Sequence, residues 1–256
     1  MLHVLSIGNS FSDDAQRYLH DLSLAEGTEI DCVNLYIGGC PLKVHWENVV
    51  NDATAYAYMH NGRMIHCQDD DEQLIRANIL QVLTSREWDV ITLQQASHDS
   101  GDYATYQPYL DHLAAYIRKW APGARLMIQQ TWAYEIDSNH PAFSRYQCSQ
   151  ETMYAQLCQA YESASQAVQA PLIPSGSVIQ SLRKTAPFDY ENGGLSLCRD
   201  GFHMSWDYGR YALAATWYRA ITGQKPQGVP FPLDGCPSPD PALLQLICNT
   251  VNEQLM

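Results

Sequence analysis

The chain opens on an apolar run over 2–7 that stops at Gly8 and turns polar through Asn9-Ser10-Phe11-Ser12. Such a run, partly β-branched and ended by glycine, predicts a buried strand, and the acidic stretch 13–25 predicts a helix directly after it. The alternation then repeats. Strands are expected over 30–36, 88–93, 125–128 and 171–174. Helices are expected over 44–50, 106–120, 153–168, around 178–182, and along Tyr211, Ala214, Ala215, Tyr218 and Ile221 to Gly223. Asn61-Gly62, inside 55–67, predicts a small antiparallel hairpin excursion. The acidic run Asp69-Asp70-Asp71-Glu72 reads as charge at the start of a helix over 72–83, favoured by the helix dipole, rather than as a metal loop. A proline-rich segment over 224–241 predicts a surface wrap before a last helix over 242–255.

Strands alternating with helices imply a mainly parallel five-stranded sheet with helices on both faces, a three-layer α/β sandwich. With 256 residues the chain suits one domain, 1–256, and shows no internal repeat or linker. Ligands of such sheets sit at the carboxyl ends of the strands. Ser10, Gly38-Gly39, Gln94-Gln95, Trp132 and the loop bearing Asp200 and His203 all fall there.

Composition narrows the partners. A net charge of −13 repels phosphates and so argues against nucleic acid or an anionic membrane as partner. No apolar run approaches the roughly 18 residues of a transmembrane helix. The first apolar run is a strand rather than a leader, so a cytoplasmic location is expected, although a secreted chain trimmed of its leader would read the same. The eight cysteines are scattered, with no Cys-x-x-Cys pair, and are expected to be reduced and structural. No metal or cofactor is expected, and oligomeric state is not legible.

A strand, a tight turn carrying a serine and then a helix is a geometry that exposes a nucleophile, with its own N–H beside it. Ser10 holds that position. The competing reading is a loop serine that caps the helix, a job for which Ser12 is better placed. A serine needs a base and an orienting carboxylate, and Asp200-x-x-His203 spaces both on one loop. His45 and His98 compete for the base. Each is read as structural or substrate-facing, because neither has an acidic partner at comparable spacing, and His98 and Asp99, adjacent on an extended segment, would point apart. Trp132, directly after the fourth strand, is expected to line the pocket, as a flat aromatic suits a sugar ring or an aryl group. Trp46 and Trp206 are candidates for the same wall.

These residues together resemble the SGNH (GDSL-type) serine hydrolase superfamily. Gly8-Asn9-Ser10-Phe11-Ser12 is similar to its first block, with Asn9 in place of the commoner aspartate. Gly39 matches the second block, and Asp200-Gly201-Phe202-His203-Met204-Ser205 resembles the last. Trp88 to Gln95 is similar to the Trp-Asp-x-x-x-Leu-Gln-Gln of a poorly characterised bacterial branch. The resemblance implies a flavodoxin-like sheet and metal-free serine ester hydrolysis, with Ser10 and Gly39 N–H groups in the oxyanion hole. Where the superfamily carries Gly-x-Asn-Asp, this chain has Gln94-Gln95-Ala96-Ser97-His98-Asp99, so the third oxyanion donor is expected from Gln94 or Gln95, with His98 toward the substrate. The substrate expected is a small acyl ester such as an acetylated carbohydrate. Two other readings compete: a weak or inactive ligand-binding protein on the same scaffold, and a nucleotide or flavin binder, which the missing Gly-x-Gly-x-x-Gly disfavours.

Overall fold

The structure, a computed structural model, describes residues 1–67 and 70–256. Strand β1 (Leu2–Gly8) leads into two short helices, α1 (Ser10–Gln16) and α2 (Leu19–Ala25), followed by β2 (Ile30–Tyr36) and α3 (Leu42–Val50). An antiparallel region comes next: β3 (Tyr56–His60), β4 (Arg63–Met64), β5 (His66–Cys67), β6 (Asp70–Leu74) and β7 (Arg76–Ala77), closed by α4 (Ile79–Leu83). The second half alternates: β8 (Val90–Leu93), α5 (Tyr109–Trp120), β9 (Arg125–Gln129), α6 (Gln150–Val168), β10 (Leu172–Ile173) and α7 (Ser175–Leu182). Helices α8 (Tyr208–Thr222) and α9 (Pro241–Gln254) complete the chain.

Five strands pair in parallel in the order β2-β1-β8-β9-β10, so the expected α/β sheet is present. Their apolar side chains are fully buried: Val4, Leu5, Ile7, Val33, Leu35 and Ile91 have no exposed surface. Each contributes about 1.5–3 kcal/mol on burial. Helices α1, α2, α7, α8 and α9 pack together, and so do α3, α4, α5 and α6, giving two helical layers around the sheet. The chain reverses its direction of travel across the sheet between β1 and β8. That makes the end of β1 the topological switch point, where a crevice opens.

The hairpin at Asn61-Gly62 forms, but it extends the main sheet instead of standing apart: β3 pairs antiparallel with β2, and β4 and β7 pair with β3. The helix expected over 72–83 is a correction. Residues 70–77 return as strands, with Ile75 bonded to Tyr58 and Ile65 through its backbone, and only Ile79–Leu83 is helical. Asn78 caps that helix, its side chain accepting from Gln81 N–H at 2.7 Å. Asp70 and Glu72 therefore charge an exposed strand, where like charge discourages edge-to-edge pairing, and Asp69 lies outside the described residues. The helix expected over 13–25 breaks into α1 and α2 at Arg17-Tyr18. Ser12 is not its cap. Asn9 takes that role, accepting from Phe11 N–H at 3.0 Å, while the single hydrogen of the Ser12 hydroxyl is shared between Asn9 O and Asn34 Oδ1. Gly8 permits this tight turn, because a Cβ there would sit 2.2 Å from Ser12 Oγ.

All eight cysteines are free thiols, and four of them (Cys32, Cys40, Cys198 and Cys248) are buried. No helix among the described residues is long and apolar enough to cross a membrane.

Candidate active site

Ser10 is the first residue of α1, directly beyond the carboxyl end of β1. Its Oγ lies 2.9 Å from His203 Nε2, and His203 Nδ1 lies 2.7 Å from Asp200 Oδ2. The second Asp200 oxygen accepts from the N–H groups of His203 (2.7 Å) and Phe202 (3.1 Å). Burial alone would raise the Asp200 carboxyl. The hydrogen bonds from the His203 ring and from both N–H groups outweigh it and hold the group below the ordinary carboxylate range. An ionised carboxylate only accepts, so Nδ1 must carry the imidazole proton, and Nε2 presents its lone pair to the Ser10 hydroxyl. The three residues form one directed chain, Ser10 O–H to His203 to Asp200.

A buried ion network that the sequence did not announce holds this chain in register. Asp14, four residues after Ser10 on the same helix, has no exposed surface. Its Oδ1 accepts from Arg199 Nη1 (2.9 Å) and Arg210 Nε (2.8 Å), and its Oδ2 accepts from Met204 N–H (2.8 Å). Arg199 immediately precedes Asp200, and Met204 immediately follows His203. One carboxylate on the serine helix therefore grips both ends of the Asp-x-x-His loop. Both guanidiniums also stack on the half-exposed Trp206 ring, at 4.2 and 4.3 Å from its centroid. The i, i+4 spacing of Ser10 and Asp14 puts them on one helix face, but nothing in the sequence names the partners of Asp14.

Trp132 is a correction: it has no exposed surface and lines no pocket. Phe11 stacks on it at 4.2 Å, and its Nε1–H donates to the Phe202 carbonyl at 2.7 Å. It supports the histidine loop from beneath. Trp46 packs against His112 and Tyr116, between α3 and α5. His45 is wholly buried against Tyr56 (2.9 Å), and burial pushes its imidazole down to about 3, a structural neutral ring.

The two glutamines separate cleanly. Gln95 accepts from Leu42 N–H and Ala96 N–H and donates to both the carbonyl and the hydroxyl of Thr105, so its amide braces three segments. Gln94 donates to Asn9 Oδ1 at 2.6 Å, beside the Ser10 turn. Asn9 in turn donates to the Cys40 carbonyl (3.1 Å), which ties the glycine turn to the serine. Gly39 takes φ +62°, a left-handed conformation that favours glycine, and is exposed.

His98 lies in a 3-10 turn (Ser97–Asp99), not on an extended segment, so its Nε2 comes to 3.5 Å from Asp99 Oδ2. It lines a cleft of about 650 Å³ with Asp99, Arg145 and Tyr146. His140, which the sequence reading passed over, packs on Phe202 at 4.8 Å. Burial, then the neighbouring His98 and His203, hold its ring below the ordinary histidine range. Among the described residues no three His, Cys, Asp or Glu side chains gather in a way that could hold a metal ion.

With this geometry in hand, comparison with known proteins places the chain. The model of the family described as "Domain of unknown function (DUF4886)" matches residues 3–241. The chain belongs to the DUF4886 family. A crystal structure of a DUF4886 protein from Bacteroides uniformis ATCC 8492 is 35% identical, covers 99% of this chain and 94% of its own, and superposes with a TM-score of 0.86. More distant structures share the SGNH hydrolase fold. A protein from Slackia heliotrinireducens proposed to be an SGNH hydrolase is 19% identical over 86% of this chain and 98% of its own, with a TM-score of 0.54. An acetylxylan esterase from Geobacillus stearothermophilus is 13% identical over 86% and 94%, with a TM-score of 0.52. No curated protein matches this DUF4886 chain in sequence.

Proposed function

We propose that this DUF4886 protein is a serine ester hydrolase in which Ser10 is the nucleophile, His203 the general base and acid, and Asp200 the orienting carboxylate. The observation that carries it is the directed chain of hydrogen bonds, 2.9 Å and 2.7 Å long, through a histidine whose tautomer Asp200 fixes. Ser10 Oγ attacks the ester carbonyl carbon as its proton passes to His203 Nε2. The tetrahedral oxyanion is held by the Ser10 and Gly39 N–H groups and by the second amide hydrogen of Gln94, the first being given to Asn9. Collapse of the intermediate expels the alcohol, protonated by His203, and leaves an acyl-serine. Water, deprotonated by the same imidazole, then releases the acid and regenerates Ser10.

The substrate we propose is a small acyl ester such as an acetylated carbohydrate, which requires no cofactor. The occurrence of an acetylxylan esterase among the structural neighbours supports that choice. The test is labelling with a serine-directed fluorophosphonate, read by intact mass, beside hydrolysis of p-nitrophenyl acetate. The parent should take up one equivalent and turn over the ester, and Ser10→Ala should do neither. Equal hydrolysis by Ser10→Ala and the parent would end this reading.

A further inference from the structure

Two polar clefts adjoin at the outer end of the Asp200 loop. One, of about 600 Å³, is lined by Gln150, Gln180, Arg183 and Asn192 among others. The other, of about 320 Å³, is lined by Asp137, Asn139, Asp200 and Gly201. Glu135 and Tyr190 line both, so the two adjoin as one groove, and Asp200 of the proposed triad lies along its smaller part.

The floor of this groove carries polar groups that the protein leaves unused. Gln180 is only 6% exposed, yet its Oε1 accepts from no described residue. Arg183 is 7% exposed, and its Nε, 3.6 Å from Glu135 Oε1, donates no hydrogen bond to a described residue. Gln180 Oε1 and Arg183 Nε, on residues three apart that both line the cleft, leave a buried acceptor and a buried donor that a ligand supplying both roles would pair. A hydroxyl does so with one atom. The charges lining the larger cleft are four carboxylates (Glu135, Glu151, Asp189 and Glu191) against Arg183 and Lys184, which disfavours a polyanion. Tyr190 adds an exposed ring between the two clefts, pinned where its hydroxyl donates to Asp137 Oδ2 at 2.9 Å. A fixed aromatic among amides and carboxylates suits the mixed apolar and hydroxylated faces of a sugar ring.

We infer that this groove binds a neutral oligosaccharide. The ester cleaved at Ser10 is then carried on such a chain, a step that rests on the function proposed above. Binding is tested apart from hydrolysis, in the Ser10→Ala protein, by calorimetric titration with xylohexaose, cellohexaose and an oligogalacturonate. Either neutral hexasaccharide should bind. Tyr190→Ala and Gln180→Leu, each made in the Ser10→Ala protein and checked by thermal melts, should each weaken binding about tenfold. In the otherwise native enzyme, Tyr190→Ala should leave hydrolysis of p-nitrophenyl acetate unchanged and raise KM on acetylated oligosaccharides. No binding of either neutral chain, binding indifferent to both substitutions, or tighter binding of the oligogalacturonate would overturn the inference. Failure of the parent to hydrolyse any ester would instead sink the hydrolase reading and leave the binding result standing.

Discussion

Asp14→Asn probes the coupling of the serine helix to the histidine loop with almost no change in size. The native carboxylate accepts three hydrogen bonds, from Arg199, Arg210 and the Met204 N–H. An asparagine can keep one or two of them through its single oxygen. Its NH2 group, turned toward Met204 N–H or a guanidinium, places donor against donor. Two arginines also lose their shared counter-charge, and Arg210 is itself buried. Removing one partner from a buried ion pair costs about 3–5 kcal/mol, and at about 2–4 °C per kcal/mol for a chain of this size the melting temperature should fall by roughly 6–20 °C. Activity should fall for a separate reason. Met204 is bonded next to His203, and a shift of about 1 Å in a catalytic group costs on the order of a hundredfold in rate. The assay is kcat and KM on p-nitrophenyl acetate at a temperature where melts show both proteins folded. The loss should lie in kcat with KM little changed, and fluorophosphonate labelling should slow in parallel. A protein that melts with the parent, or one destabilised but with full kcat, would refute the coupling.

Asp13 gives a pH signature. Burial, then the adjacent Asp14 charge, raise its carboxyl to about 6. The folded state therefore binds this proton more tightly than the unfolded chain, and stability from this group, present below the unfolded value, is lost as pH rises through about 6. Asp13→Asn should raise the melting temperature at pH 7.5 by the equivalent of up to about 3 kcal/mol, with the gain gone at pH 4; a gain independent of pH would refute this. Trp132→Phe keeps the stack on Phe11 and removes the donor to the Phe202 carbonyl. It should lower kcat with KM unchanged, and equal kcat would free the loop from this support. Gln94→Ala should cost on the order of a hundredfold in turnover with a modest change in the melt, whereas Gln95→Ala should mainly lower the melt. Reversal of those two effects would exchange their roles.

The features legible in the sequence are those that a local pattern encodes. The strands β1, β8 and β9 stand out as short, mostly apolar runs ended by turn or polar residues and β2 by its alternation of apolar and polar positions, and the sheet follows from their alternation with helices. The Asp200-x-x-His203 pair was legible because its partners sit on one loop at a spacing that closes a hydrogen bond. Less legible was anything fixed by contacts distant in sequence. The Asp70–Leu74 strand carries the charges of a helix start, and its antiparallel pairing with β5, followed by that of β7 with β3, decides against the helix. Trp132 sits where a pocket wall would be, and Phe11, more than a hundred residues earlier, together with the Phe202 carbonyl, seventy residues later, encloses it. Asp14 is an ordinary helix residue until Arg199 and Arg210 arrive from the other end of the chain.

The two positions at which the sequence differs from the SGNH blocks it resembles, Asn9 before the serine and Gln94 in the third block, touch. An ionised aspartate at position 9 could accept from Phe11 N–H and from Gln94, but it has no hydrogen to give. Asn9 accepts from both and also donates to the Cys40 carbonyl, so one neutral side chain joins the serine turn, the glycine turn and the end of β8. Glutamine at position 94 suits that arrangement, since its longer side chain reaches Asn9 at 2.6 Å and still has a second amide hydrogen. With Asn9 and Gln94 both almost fully buried, neither polar group can turn to water when the other is changed. Asn9 and Gln94 are therefore halves of one hydrogen-bonded unit. Changing Asn9 to the commoner aspartate would leave the Cys40 carbonyl facing a carboxylate, two acceptors with no hydrogen between them.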